Sequence, residues 1–178
     1  MRVVESLGVD ATTDTITTIA YPHHEIHSGS HYYIQGYLEM GTTTTPYRMK
    51  MVTPNSEKWS HFIFQITGSG ITGTTFDEDA SGGMASGDSK IPFNNDRNST
   101  QASGVVFTTG VEAASTYATR LEDDKWGAAG FKQFFGGGNS REDELILKQN
   151  TTYLRTFTSY SDSNVIQFKA SWYEHTNK

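Results

Sequence analysis

At 178 residues the chain fits one domain, 1–178, with room for a sizeable core, and its lack of cysteine excludes a disulfide framework or a thiolate metal site. A formal net charge of −6, with no cluster of Lys and Arg, speaks against nucleic acid or an anionic bilayer as partner. Hydrophobic residues make up 35% and charged residues 19%, so Thr, Ser, Asn, Gln and 17 glycines carry much of the sequence, a balance that suits strands with polar faces joined by tight turns.

The opening run MRVVESLGVDATTD has no apolar signal core, and no segment approaches the roughly 18 apolar residues of a membrane helix. The product is therefore expected to be soluble and not conventionally secreted. Residues 15–20 read as a strand stopped by Pro22, and 32–40 as a longer strand stopped at Gly41. A hairpin through 42–46 is expected next, leading into Tyr47-Arg48-Met49-Lys50-Met51-Val52. There a period of two sends Tyr47, Met49 and Met51 to the core and Arg48 and Lys50 to the other side. Residues 52–58 read as a turn and 59–67 as a strand with Phe62, Phe64 and Ile66 on one face and a partly covered Ile63 on the other. Residues 71–76 form another candidate strand. From 77 to 103 Gly, Ser, Asp and Asn dominate, interrupted by Ile91-Pro92-Phe93, and a surface loop this long is expected to make a contact.

The sheet restarts at 104–109. In 111–121, Val111, Ala114, Ala118 and Leu121 recur at helical spacing, but Thr116, Tyr117 and Thr119 favour strand and no capping box precedes them, so strand is expected. The Gly- and aromatic-rich stretch 126–140 lacks the GxxxxGK signature and the following helix of a phosphate loop, and reads as a sharp return. Residues 144–147, 151–159 and 165–173 look like three antiparallel neighbours, with Phe168, Ala170 and Trp172 on one face and Trp172 in the core. The sequons at Asn98 and Asn150 read as turn chemistry. The pattern is all-β: an antiparallel two-sheet β-sandwich or jelly roll of roughly nine or ten strands, with no helix assigned.

Four of the six histidines fall in His23-His24-Glu25-Ile26-His27-Ser28-Gly29-Ser30-His31. If this stretch is extended, His23, Glu25 and His27 share a side, and with His31 or water in the fourth position they form a plausible zinc set. Neither HExxH nor a cupin-like HxH spacing is present. The favoured reading makes these imidazoles half-buried hydrogen-bonding groups in a turn between two strands, donating to backbone carbonyls or stacking on Tyr32 and Tyr33, so no metal is expected. Catalysis finds little support: Ser60-His61 and Ser28 beside His27 are the serine–histidine neighbours, no GxSxG elbow occurs, and Asp123-Asp124 and Glu142-Asp143-Glu144 read as solvated runs. No cofactor site is expected. Trp59, Trp126, Tyr117 and Tyr160 either fill the core, the favoured reading, or form a sugar-binding platform.

The stretches HHEIHSGSHYY at 23–33, TPNSEKWSHFIF at 53–64, NNDRNS at 94–99, ELILKQNTTYL at 144–154 and WYEHTNK at 172–178 resemble, in the same order, a widespread family of small virion structural proteins of tailed bacteriophages. Residues 111–129 depart most from that pattern. The resemblance implies a non-enzymatic particle component made in the host cytoplasm. Its expected place is the capsid surface, as a decoration or cement protein bound to the major capsid protein, and a homotrimer is expected. The alternative is a tail-associated carbohydrate- or receptor-binding module. No catalytic or metal-binding residue carries over from the family.

Overall fold

The computed structural model describes residues 8–10, 15–17, 21–42, 45–84, 87–128, 135–138 and 143–176. A small separate ladder joins β1 (Gly8–Asp10) to β2 (Thr15–Thr17) and precedes the helix α1 (Tyr21–His27). Then follow β3 (His31–Met40), β4 (Tyr47–Val52), β5 (Lys58–Gly68), β6 (Thr72–Glu78), β7 (Ser81–Met84), β8 (Asp88–Lys90), β9 (Phe93–Asn94) and β10 (Val106–Thr116). The chain ends with β11 (Thr119–Trp126), β12 (Phe135–Gly138), β13 (Leu145–Leu147), β14 (Thr152–Ser159) and β15 (Asn164–Thr176). Among the described residues no helix is long and apolar enough to cross a membrane.

Two antiparallel sheets face each other. One has seven strands in the order β11-β6-β14-β4-β10-β7 with β8 also on β10, and the other six in the order β12-β5-β15-β3-β9 with β13 also on β5. The ladders are those of one long hairpin rolled up. β3 pairs with β15, β4 with β14, β5 with β12 and β13, and β6 with β11, so the outermost strands in sequence meet each other and the pairing proceeds inward. Because β3, β4, β5 and β6 alternate between the two sheets, the rolled hairpin is a jelly roll. The additional strand β10 lies outside β4.

Period two on each strand fills the space between the sheets. Met49, Met51, Phe76, Phe107, Tyr153 and Phe157 from one sheet meet Ile34, Phe62, Phe64, Ile166 and Trp172 from the other. Trp172, 1% exposed, stacks on Phe62 at 4.9 Å and reaches across the sandwich to Phe107 at 5.0 Å. Such offset aromatic contacts add about 0.5–1.5 kcal/mol each beyond area burial. The expected inward faces of 47–51, 59–67 and 165–173 are therefore correct, as is the partial burial of Ile63.

Several connections differ from the sequence reading. The hairpin expected across 42–46 is a crossing, since β3 and β4 lie in different sheets, and the three C-terminal strands are not neighbours, because β13 joins β5 while β14 lies between β4 and β6. The segment 111–121 breaks at 117–118, so β10 and β11 are separate strands that do not pair with each other. Instead of a sharp return, Trp126 ends β11, and Gly136, Gly137 and Gly138 are strand residues opposite Thr67, Ile66 and Gln65. The long loop expected at 77–103 contains the three short strands β7, β8 and β9, which raises the strand number above that expected. Of the strand expected at 15–20, residues 18–20 lie outside the described residues.

The helix α1 is the largest departure. Pro22 does not stop a strand but occupies the first helical turn, where a missing N–H costs nothing. The helix ends in a Schellman cap: Gly29 takes φ +73°, its N–H donates to the Ile26 carbonyl at 3.0 Å, and the Ser30 N–H donates to the Glu25 carbonyl at 3.1 Å.

Candidate functional site

Helical geometry redistributes the residues of the candidate metal set. His23 and His27, four apart, meet with Nε2 atoms 3.0 Å apart on the exposed face. Glu25 points away from them, is buried, and its carboxylate accepts from the Ser30 hydroxyl. His31 lies in β3, where its Nδ1 meets the Asn95 side-chain amide at 2.7 Å and its ring stacks over Tyr173 at 6.5 Å. The set His23, Glu25, His27 and His31 therefore does not converge, because a period of 3.6 separates what a period of two would have aligned. Among the described residues no group of three or more His, Asp or Glu side chains is placed to hold a metal.

A second histidine group lies on the outer face of the six-stranded sheet. In register across that sheet, His31, Tyr173, His61 and Ile146 form one row from four strands. His61 stacks on Tyr173 at 4.5 Å and lies 4.6 Å from the His175 ring. The Glu144 carboxylate accepts from His61 Nδ1 at 2.7 Å and from the Tyr173 hydroxyl at 2.7 Å. His175 Nδ1 donates to the Thr176 carbonyl at 2.9 Å, and its Nε2 stands 2.9 Å from the Nε2 of His61. The run 142–144 is expected to be solvated, yet the Glu144 side chain is only 13% exposed. Glu142 lies outside the described residues. What gathers these groups is long-range register, for which local sequence carries no signal.

The serine–histidine neighbours do not form catalytic pairs. Ser60 and His61 point to opposite faces of β5, and the Ser28 hydroxyl donates to the Glu25 carbonyl at 2.9 Å while His27 turns to His23. Asp123 is exposed beside Arg120 at 3.1 Å. The four aromatic residues of the candidate platform are dispersed: Trp59 pairs in register with His175 in one sheet, whereas Tyr117 and Trp126 lie at opposite ends of β11 in the other. Trp126 packs against the core as expected, but Tyr117 and Tyr160 are exposed under the cations Arg120, at 4.9 Å, and Lys125, at 3.9 Å.

Two surface features remain. The segment holding β7, β8 and β9 is a strap across one edge of the sandwich, for β7 and β8 pair with β10 in one sheet and β9 pairs with β3 in the other. At its crest Ile91 is 80% exposed, and beneath lies an apolar groove of about 390 Å³ lined by Ile34, Leu38, Tyr47, Ile91, Phe93 and Phe168. On the outer face of the six-stranded sheet a shallow cleft of about 420 Å³ is lined by Gln35, Gln65, Gln167, Lys169, Thr67 and Tyr37, the last 66% exposed. Burial, and next the Glu174 carboxylate, push the Tyr32 hydroxyl up to about 12, and burial pulls the Arg155 guanidinium below its ordinary value against the opposing pull of Glu122. No family model, curated protein or solved structure matches the chain.

Proposed function

We propose that the chain is a non-enzymatic structural component of a tailed-phage particle, seated on the outside of the head as a decoration or cement protein and touching the major capsid protein through the strap. The observation that carries this reading is the crest at Ile91 and Phe93, where the most exposed of the large hydrophobic side chains described stands beside an exposed aromatic ring, with strand pairing on both sides of it. A preordered apolar anchor loses little entropy on docking, and symmetric repetition, as in a homotrimer on a lattice, multiplies weak contacts into high occupancy. Jelly rolls recur in capsid and lectin domains, which is support by fold analogy only. The resemblance of the five sequence stretches points the same way. The test is copy number and location: densitometry of purified particles should find many copies on the head, and Ile91→Asp should abolish binding to heads stripped of the protein. Undiminished binding of that variant would overturn the contact.

A second reading, a tail-associated carbohydrate-binding module, is favoured by the cleft with three glutamine amides, one lysine and an exposed tyrosine ring, the donor, acceptor and stacking groups a sugar requires. A few copies at the tail tip and loss of glycan-array binding in Tyr37→Ala would support it over the decoration reading.

A further inference from the structure

We propose that the apolar groove beneath the strap binds a free fatty acid, with the alkyl chain between the two sheets and the carboxylate at Lys90. The groove is a place where the sandwich is not filled. Leu38 on β3, Phe168 on β15 and Tyr47 on β4 project from the inward faces, in phase with the buried Ile34, Ala170 and Met49, yet all three remain half-buried. Apolar side chains that face inward and still meet water mark a gap in the packing, not an outer surface.

Topology produces that gap. β9 pairs with β3 only at Tyr32 and Tyr33, so from Gln35 onward no described strand continues the six-stranded sheet beyond β3, while the opposite sheet runs on past β4 through β10 to β8. The inner end is closed by Phe168 and Phe157, whose ring centres lie 5.4 Å apart across the sandwich. A Cβ at Gly36 would stand 2.9 Å from the Phe168 ring, so this glycine lets the ring cover the backbone there and supply an apolar wall.

Shape and charge select the ligand. The lining follows β3 from Ile34 to Leu38, about 13 Å at about 3.3 Å per residue. Its volume of about 390 Å³ falls within the range of about 300–1,000 Å³ found for small-molecule sites. Apolar walls of that length suit an extended alkyl chain, whereas the hydroxyls of a sugar would be left without partners. Lys90 is the one charged residue in the lining. It stands in register with Phe107, whose side chain is in the core, so it projects toward the inner side of β8 at the exposed mouth, and it makes no ion pair among the described residues. Asp88, the acid nearest to it in sequence, is exposed and outside the lining. A molecule that buries methylenes and leaves an anionic end beside that ammonium group matches both halves of the groove.

The full chain is titrated calorimetrically with octanoate, decanoate and dodecanoate, each below its micelle concentration. Every added methylene should tighten binding about fourfold, the factor that corresponds to about 0.8 kcal/mol per buried CH₂. Dodecanoate should bind about two- to fivefold more tightly than dodecanol, and Lys90→Gln should remove that difference while leaving dodecanol unchanged, the size expected of one exposed ion pair. Leu38→Trp, which fills the groove, should weaken both ligands at least about tenfold. In the unmodified protein, dodecanoate methylenes should give nuclear Overhauser contacts to the Leu38 methyls and the Phe168 ring, a readout that needs no variant. Affinity independent of chain length, equal binding of dodecanoate and dodecanol, or contacts at other residues would each overturn the proposal. So would Leu38 and Phe168 resonances that shift with protein concentration alone, which would put a second copy in the groove, or binding to phospholipid vesicles free of fatty acid, which would make the crest a membrane contact.

Discussion

Arg155 offers the sharpest test of how this core is held together. It projects from β14 into the sandwich interior, 1% exposed, with its guanidinium carbon 4.4 Å from the Phe64 ring centre and 4.6 Å from that of Phe76. Its Nη1 donates to Glu122 at 2.6 Å, while Nε and Nη2 have no hydrogen-bond partner among the described residues. Burial of this charge costs several kcal/mol, offset by Glu122 and by two desolvated cation–π contacts of about 2 kcal/mol each. Glu122→Ala removes the one carboxylate hydrogen-bonded to this buried charge and should destabilise the fold by about 3–5 kcal/mol, which at this chain length lowers Tm by about 6–20 °C. Arg155→Met keeps a flexible side chain between the two rings and removes the desolvation cost, while Glu122, already 25% exposed, turns to water. That variant should lie between neutral and about 4 kcal/mol more stable. Urea unfolding followed by tryptophan fluorescence measures both. If Arg155→Met costs as much as Glu122→Ala, the pair is a net source of stability and the reasoning fails.

Other consequences are as direct. Gly127 has φ +107°, and a Cβ there would stand 2.5 Å from the Gly70 carbonyl oxygen, so Gly127→Ala should cost at least about 1–3 kcal/mol in thermal unfolding, and a smaller loss would show that the 126–128 turn yields. The raised Tyr32 hydroxyl makes stability pH-dependent on the alkaline side: the unfolded chain releases that proton from about pH 10 and the folded one from about 12, so stability is full below pH 10 and declines as pH rises toward 12. Circular dichroism across that window, with Tyr32→Phe showing a shallower decline, checks the sign. Ile91→Asp should leave stability within about 0.5 kcal/mol in urea unfolding, because the side chain is exposed, and a larger loss would make the crest part of the core.

The fold was legible where burial and period two coincide. Met49 and Met51, Phe62 and Phe64, and Ala170 and Trp172 each declared an inward face, and the absence of sustained helical spacing over most of the chain identified two pleated layers. What stayed hidden depends on pairing at long range. The alternation of β3 and β4 between sheets leaves no trace in 42–46, and the tie between Glu144 and His61 joins residues far apart in sequence. The histidine stretch misled for a different reason: seven residues are too short for helical period to emerge, while Pro22 and Gly29, the residues that start and cap that helix, are also ordinary turn residues. The mutual placement of His61 and His175 follows from long-range register alone, which no local pattern displays.

The strap has a mechanical consequence. Lys90 is bonded opposite Phe107 in one layer and Phe93 opposite Tyr33 in the other, so the crest at Ile91 and Pro92 is a short bridge between two anchored ends. A tug on that bridge is divided at once between both layers, and neither can be peeled away singly by whatever grips it. Any partner holding the molecule there meets the resistance of the whole sandwich, not that of a dangling tether.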